Sequence, residues 1–342
     1  MIDLRKYTSY AFFRLPFADE VHVICQHRHD SEQRQSGRRF VMIPFDEAKH
    51  PTIKIYPDVE MTMKMELLSM GDAKAELCFE EDKKAYDEVF CNFKSAIPSE
   101  FSKLVLSRSV YGKYIGNPMD VFIRACHAYP RTMVYLCYTT QTGYWIGSTP
   151  EILLAGSKSH YRTVALAGTM THEGEWSEKN KTEQAMVADY VRDIIVPLST
   201  VVEEEGPYTS RAGNLFHLKT EFHFSPISSV NLTTFIERLH PTPAVCGLPK
   251  EEAKAFIIRN EGYDRKYYSG VVGMFDEKGE TNLYVNLRCC HLMPQAESDH
   301  HYHCTLYAGG GILSESTADS EYQETQEKLK TICSVLSPTY SN

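Results

Sequence analysis

Between residues 103 and 167 the chain reads as a series of extended runs: Lys103–Val110, Thr132–Tyr138, Gly143–Gly147, Glu151–Ala155 and Thr163–Ala167. Each is β-branched, apolar or aromatic in character, and the last four are separated by only a few turn-forming residues. A parallel pair needs a crossover of a dozen or more residues, usually a helix, so links this short argue against βαβ crossovers. The pattern argues for antiparallel meanders over a doubly wound parallel sheet.

The first hundred residues add short strands at Tyr10–Phe17, Glu20–Cys25, Arg39–Phe45 and Thr52–Tyr56, bounded by Pro, Asp and Gly. Strands return at Tyr267–Phe275, Asn282–His291 and Tyr302–Leu313. Helices are expected at Asp82–Ser95, Ser177–Ile195, Leu232–Leu239, Glu251–Asn260 and Ser320–Leu336. The last is opened by Ser316-Thr317-Ala318-Asp319, which fits a capping box. The fold class is α+β: large antiparallel sheets packed together, with helices on the outside. No linker is visible in the second half, so residues 1–342 are read as one domain. Within it, residues 1–100 form a strand-rich part and residues 101–336 carry the motifs.

Hydrophobic residues make up 42% of the chain, enough for a real core. The net charge is −9 and no Lys/Arg-rich block stands out, so the electrostatic footprint of a nucleic-acid binder is missing. An anionic small substrate would have to be met by local cations and a metal. The first residues carry no apolar signal core, and no stretch of about 18 apolar residues occurs, which argues against secretion and against a membrane helix. Ten scattered cysteines without a CxxC pair are read as free thiols in a reducing cytoplasm. No heptad pattern or exposed apolar helix calls for an obligate partner, and a monomer is expected.

The chemistry begins with the last helix. Glu321, Glu324 and Lys328 fall at i, i+3 and i+7, and Leu329, Ile332 and Val335 extend the same face. Two carboxylates thus head a stripe that turns apolar and points inward, although acids at a helix start also complement its dipole. The Ser177–Ile195 helix repeats the arrangement, with Glu183 above Val187, Val191 and Ile194. Two such helix starts could gather three carboxylates around a hard cation, with Mg²⁺ the natural candidate. Gly309-Gly310-Gly311 at a strand's end would let a ligand approach the backbone, or mark a bulge. In His240-Pro241-Thr242-Pro243 the two prolines stiffen the chain and could aim His240 at a ligand. The run holding Cys289, Cys290, His291, His300, His301, His303 and Cys304 contains zinc-type ligands, but its spacing matches no standard finger.

Taken together these segments resemble the chorismate-utilising enzymes, the group containing isochorismate, salicylate, anthranilate and aminodeoxychorismate synthases. The resemblance is carried by Lys103-Leu-Val-Leu-Ser-Arg108, Ser148-Thr-Pro-Glu-Ile-Leu-Leu154, Leu166-Ala-Gly-Thr169 and the Glu183 helix. It continues through His240-Pro-Thr-Pro-Ala-Val245, Asp264-Arg-Lys-Tyr-Tyr-Ser-Gly270, the Arg288 strand, Ala308-Gly-Gly-Gly-Ile312 and Glu321-Tyr-Gln-Glu-Thr325. The segments span residues 101–336 in the family's order, and the first hundred residues carry none.

The resemblance implies the following roles. Lys103 matches the general base of the isochorismate branch and Glu151 its general acid. Glu183 and Glu324 match the magnesium ligands, with Glu321 beside them directly or through water. Arg288 and Tyr268 match positions that hold the enolpyruvyl carboxylate, and Gly168, Thr169, His240, Gly309 and Lys328 match the remaining substrate-lining positions. The expected reaction is the Mg²⁺-dependent isomerisation of chorismate to isochorismate, in which water adds at C2 and the C4 hydroxyl departs. A lysine base needs a lowered pKa and a glutamic acid a raised one, and burial pushes both in the required direction. Salicylate synthase, which goes on to eliminate pyruvate, shares the lysine and the glutamate and is the alternative. The lysine at 103 argues against the ammonia-adding branches, and the intact acids argue against a catalytically silent binder. Gln184 stands where a histidine commonly follows the ligand glutamate, and Asn180 where a further acid is common.

Overall fold

The computed structural model describes residues 3–27, 37–71, 76–80, 83–212, 215–295 and 300–337. Its elements, in chain order, are β1 (Ser9–Arg14), β2 (Glu20–Gln26), β3 (Arg39–Ile43), β4 (Ile53–Ile55), β5 (Val59–Lys64), β6 (Glu76–Glu80), α1 (Lys83–Ser95), β7 (Lys103–Ile115) and α2 (Pro118–Ala128). There follow β8 (Met133–Thr139), β9 (Gly143–Thr149), β10 (Ile152–Ser157), β11 (His160–Met170), α3 (Glu178–Ile195), β12 (Ser199–Ala212), β13 (Leu215–Pro226) and α4 (Leu232–Leu239). The chain closes with β14 (Gly247–Leu248), α5 (Lys250–Asn260), β15 (Val271–Phe275), β16 (Glu280–Val285), β17 (Cys289–Pro294), β18 (His301–Ile312) and α6 (Ala318–Leu336).

The strands form two antiparallel sheets. One runs β14-β7-β18-β17-β9-β8-β1-β2-β5, with β6 also pairing β7, and the other runs β12-β13-β11-β10-β16-β15-β3-β4. The N-terminal strands therefore extend both sheets at one edge: β1, β2 and β5 in the first, β3 and β4 in the second. Between the sheets lies an aromatic layer built from both, including Phe13, Phe40, Tyr135, Trp145, Tyr268, Tyr284 and Tyr307. Burying a side chain of this kind contributes roughly 1.5–3 kcal/mol, so this layer is the main bond between the sheets. Helices α2 and α6 cover the outer face of the first sheet, and α3 and α4 that of the second. The α+β architecture with helices outside is as the sequence indicates.

Several elements differ from the sequence reading. The runs at Gly143–Gly147 and Glu151–Ala155 are not hairpin neighbours: β9 lies in the first sheet and β10 in the second, the short link through Pro150 carrying the chain between sheets. The run Asn282–His291 is not one strand: β16 belongs to the second sheet and β17 to the first, and the chain changes sheet through Asn286-Leu287-Arg288. Arg288 takes a left-handed φ of 49° there, an unusual conformation for a residue without a glycine's freedom. Asn286 fixes the turn, donating to Tyr267 O at 2.8 Å and accepting from Tyr135 Oη at 2.6 Å. Helix α2 and the long β12–β13 hairpin were not expected from the sequence. On α3 the buried stripe runs Glu183, Val187, Val191 and Ile195, so Ile195 replaces the expected Ile194. Thr317 caps α6 by accepting from Ser320 N.

Candidate active site

The ends of β11 and β18, the starts of α3 and α6, and the Arg288 crossover surround one cavity. Its walls include Glu151, Gly168, Thr169, Glu183, Tyr268, Arg288, Gly309, Glu324 and Lys328. Lys103 adjoins it beside Glu183 and Gly311, and Glu321 adjoins it beside Gly310. A Cβ on Gly311 would lie 2.1 Å from Glu183 Oε1 and 3.2 Å from Lys103 Cε, and one on Gly310 would lie 3.0 Å from Glu321 Oε2. A side chain at 311 would thus displace the Glu183 carboxylate, and one at 310 would press on Glu321.

His240 is the exception. It lies in the wall of a different cleft, with Val41, Ile43, Lys54 and Lys254, and not in this cavity. It is the C-cap of α4, its backbone N–H donating to Ile236 O. Its segment still serves the site through other residues: Ala244 and Val245 line the cavity, and Thr242 Oγ1 donates to Glu151 Oε1 at 3.2 Å.

Glu151 follows β9 and is wholly buried. Burial raises its pKa to about 7, against the opposing pull of the Thr242 hydrogen bond and of Lys103, Lys328 and Arg288. The group can therefore keep its proton near neutrality and give it up on demand.

The three helix-borne acids each meet a lysine. Lys103 Nζ lies 2.8 Å from Glu183 Oε1, Lys328 Nζ 2.6 Å from Glu324 Oε1, and Lys179 Nζ is bonded to Glu321 Oε1. Burial and the nearby Glu324 charge raise the Glu321 pKa. Burial pushes Glu324 the same way, but Lys328 outweighs it and holds that carboxyl below its usual range. Lys179, one turn ahead of Glu183, was not recognised from the sequence. Gln184 pins α3 to the sheet behind Glu183, donating to Ala165 O at 3.0 Å and Thr220 Oγ1 at 3.1 Å.

As a metal site the acids fit in donor chemistry. Hard carboxylate oxygens suit Mg²⁺, and Glu321 Oε2 is buried without a hydrogen-bond partner. Among the described residues, however, no three such groups are already gathered into a coordination sphere. The zinc-type run has other duties: His291 stacks on Trp145 and bonds Thr142 O at 2.7 Å, while Cys289, Cys290 and Cys304 pack in the core. Residues 296–299 of that run lie outside the described residues.

Arg288 is buried in the cavity wall, and among the described residues no carboxylate forms an ion pair with it. A buried guanidinium without a counter-ion is costly unless an anion arrives to meet it. Its orientation comes from His217 on β13, which sequence reasoning missed. His217 Nδ1 is 2.8 Å from Gly168 O and Nε2 is 3.2 Å from Arg288 Nη2. Burial and the Arg288 charge lower the His217 pKa to about 3, so the ring is neutral. A neutral ring that donates from Nδ1 to a carbonyl must accept at Nε2, which is what Arg288 needs.

The chain belongs to the chorismate binding enzymes, whose family model matches residues 70–337. Among its relatives are isochorismate synthases. It is 29% identical over 286 residues to the salicylate biosynthesis isochorismate synthase of Pseudomonas aeruginosa, covering 79% of this chain and 57% of that protein. To the vibriobactin-specific isochorismate synthase of Vibrio cholerae it is 31% identical over 260 residues, covering 68% and 62%. The chain thus spans less than two thirds of either relative's length. The structure of the menaquinone-specific isochorismate synthase from Escherichia coli matches with a TM-score of 0.80, covering 98% of this chain and 91% of that one. The identity there is 19%, so this likeness bears on the fold. Among the described residues no helix is long and apolar enough to cross a membrane.

Proposed function

We propose that this protein is an isochorismate synthase, isomerising chorismate to isochorismate with the help of Mg²⁺. The observation that carries the reading is Glu151. It is a wholly buried carboxyl with a pKa near 7, set in a cavity with an unpaired buried arginine and flanked by a buried lysine. That is what a general acid acting on a dianionic substrate requires.

In the proposed reaction a water attacks C2 of the ring while Lys103 takes its proton. The ring double bonds shift, the C4–O bond breaks, and Glu151 protonates the departing oxygen. Arg288 and Tyr268 hold the enolpyruvyl carboxylate, the guanidinium offering a planar fork that suits it. Glu183 and Glu324 would hold Mg²⁺, with Glu321 beside them, and the ion would anchor the ring carboxylate and draw electron density from the diene. Gly168, Thr169, Gly309 and Lys328 complete the lining.

Incubating the purified protein with chorismate and Mg²⁺, and identifying the products by mass and ultraviolet absorbance, tests the proposal. Isochorismate without pyruvate supports it. Salicylate with equimolar pyruvate would instead make the protein a salicylate synthase, and no turnover would overturn both.

A further inference from the structure

Outside the catalytic cavity, Glu261 and Arg265 form a fully buried ion pair, Arg265 Nη2 to Glu261 Oε1 at 2.6 Å and Nε to Oε2 at 2.6 Å. Replacing such a pair with apolar groups is often neutral or stabilising, so stability alone is a weak reason for it to exist. Its remaining bonds are more informative. Arg265 donates to Val105 O at 2.9 Å and to Val245 O at 2.7 Å, and both valines line the cavity. Glu261 Oε1 accepts from Ser107 N at 2.7 Å and from Ser107 Oγ at 2.8 Å.

The pair therefore bolts β7 to the 242–246 segment. Among the described residues the rest of that junction is short: β14 contributes two residues, pairing Gly247 with Leu104 and Leu248 with Lys103, Ser102 N donates to Leu248 O, and Val105 N donates to Cys246 O. On one side of the bolt sits Lys103, on the other Thr242, the hydrogen-bond partner of Glu151. Tyr263 Oη, 2.6 Å from Ser107 Oγ, ties in a third wall, since its ring stacks on Tyr307 and Tyr307 stacks on Tyr268.

We propose that Glu261–Arg265 is a positioning pair for the isomerisation, setting the strand that bears Lys103 against the segment that supports Glu151. The proposal rests on the isomerase reading above. Small displacements of reacting groups are expensive: about 1 Å can cost on the order of 100-fold in rate. A pair that only stabilised the fold would lower the melting temperature and leave the turnover of the folded enzyme alone.

The deciding experiment compares wild-type protein with Arg265→Lys, which keeps the charge and loses the fork. Folding is checked by circular dichroism, binding of Mg²⁺ and of chorismate by calorimetry, and turnover at saturating chorismate. Folded Arg265→Lys should bind both within about 3-fold of wild type while kcat falls at least about 10-fold. An unchanged kcat, or a loss confined to KM or to Mg²⁺ affinity, overturns the positioning role. If Arg265→Lys does not fold, Ser107→Ala decides, read against a Tyr263→Phe control: Ser107→Ala leaves the ion pair intact and removes the hydroxyl's bonds to Glu261 and Tyr263, whereas Tyr263→Phe removes only the second. A several-fold loss of kcat beyond that of the control, at an unchanged melting temperature, supports the proposal, and a wild-type kcat or a loss equal to the control's overturns it. Wild-type protein without turnover overturns the isomerase reading and this proposal together, whereas an active wild type with an equally active variant overturns the proposal alone.

Discussion

Lys103 Nζ lies 2.8 Å from Glu183 Oε1, and the lysine side chain is completely out of solvent. The proposed base and a proposed metal ligand are thus held to each other, one from β7 and the other from the start of α3. The same relation recurs at Lys328–Glu324 and Lys179–Glu321. Carboxylates brought this near to one another repel, and the lysines offset that cost. A cation binding there would compete with the lysines for the same oxygens.

Competition of this kind makes Lys179 a test of the metal site. Lys179→Ala should tighten Mg²⁺ binding roughly 3- to 10-fold, a gain of about 1 kcal/mol, measured by titration calorimetry. Glu324→Gln should weaken it sharply without unfolding the protein, and EDTA should abolish turnover until Mg²⁺ is restored. Weaker Mg²⁺ binding in Lys179→Ala would show that the lysine orders Glu321 for the metal instead of competing with it. Full activity in EDTA would remove the metal from the reaction.

The raised pKa of Glu151 sets a pH window. Its acid form is the competent one, so kcat/KM should fall as pH rises through about 7. The stability sign is the same: burial favours the protonated form, so this contribution is complete below the carboxyl's ordinary pKa of 4.5 and is lost as pH rises through about 7. Its size is about 3 kcal/mol. Glu151→Gln should lose at least about 100-fold in rate and show a flatter dependence of melting temperature on pH between 5 and 8. A variant as active as wild type would exclude Glu151 as the acid.

Arg288 and His217 act as a unit. Arg288→Lys loses the planar fork and should raise the KM for chorismate strongly. His217→Phe removes the acceptor at Arg288 Nη2 and leaves Gly168 O without its donor, and should raise KM in the same direction by a smaller factor. Steady-state kinetics on both variants checks this. An unaltered KM in Arg288→Lys would mean that the guanidinium does not meet the substrate.

The acids of α3 and α6 were legible in the sequence because helical periodicity places a residue on a face without reference to the rest of the fold. Glu183, Glu321 and Glu324 each head a stripe that turns apolar, and the structure sets Glu321 and Glu324 beside Gly310 and Glu183 beside Gly311. His217 was not legible. Its strand is interrupted by Lys219 and Glu221 and follows the acidic run Glu203-Glu204-Glu205, which masked the alternation of Leu218, Thr220, Phe222 and Phe224 toward α3 and α4. Reading that alternation would have placed His217 on the opposite face, toward the cavity. His240 shows the converse error: two prolines announce a rigid segment but not which of its side chains faces the ligand. Arg288 was found as a residue and misplaced as structure, since a change of sheet within an apolar run leaves no mark in residue periodicity.

The choice between water and ammonia as nucleophile turns on Lys103. On β7 the side chains alternate: Val105 faces the cavity, whereas Leu104 and Leu106 pack against α1 and α5. Lys103 lies on the Val105 face, wholly buried and tied to Glu183. Lys103→Gln keeps length and polarity but removes the titratable amine. Glu183 would face a polar amide in place of its ion-pair partner, so the fold should survive, and binding of chorismate and Mg²⁺ should persist. Loss of a general base typically costs about 10²–10⁴-fold, so isochorismate should form at least about 100-fold more slowly. The measurement is turnover of the folded variant, with binding followed separately by calorimetry. Near wild-type turnover in Lys103→Gln would remove the lysine from the mechanism, and with it the main chemical reason for preferring water as the nucleophile.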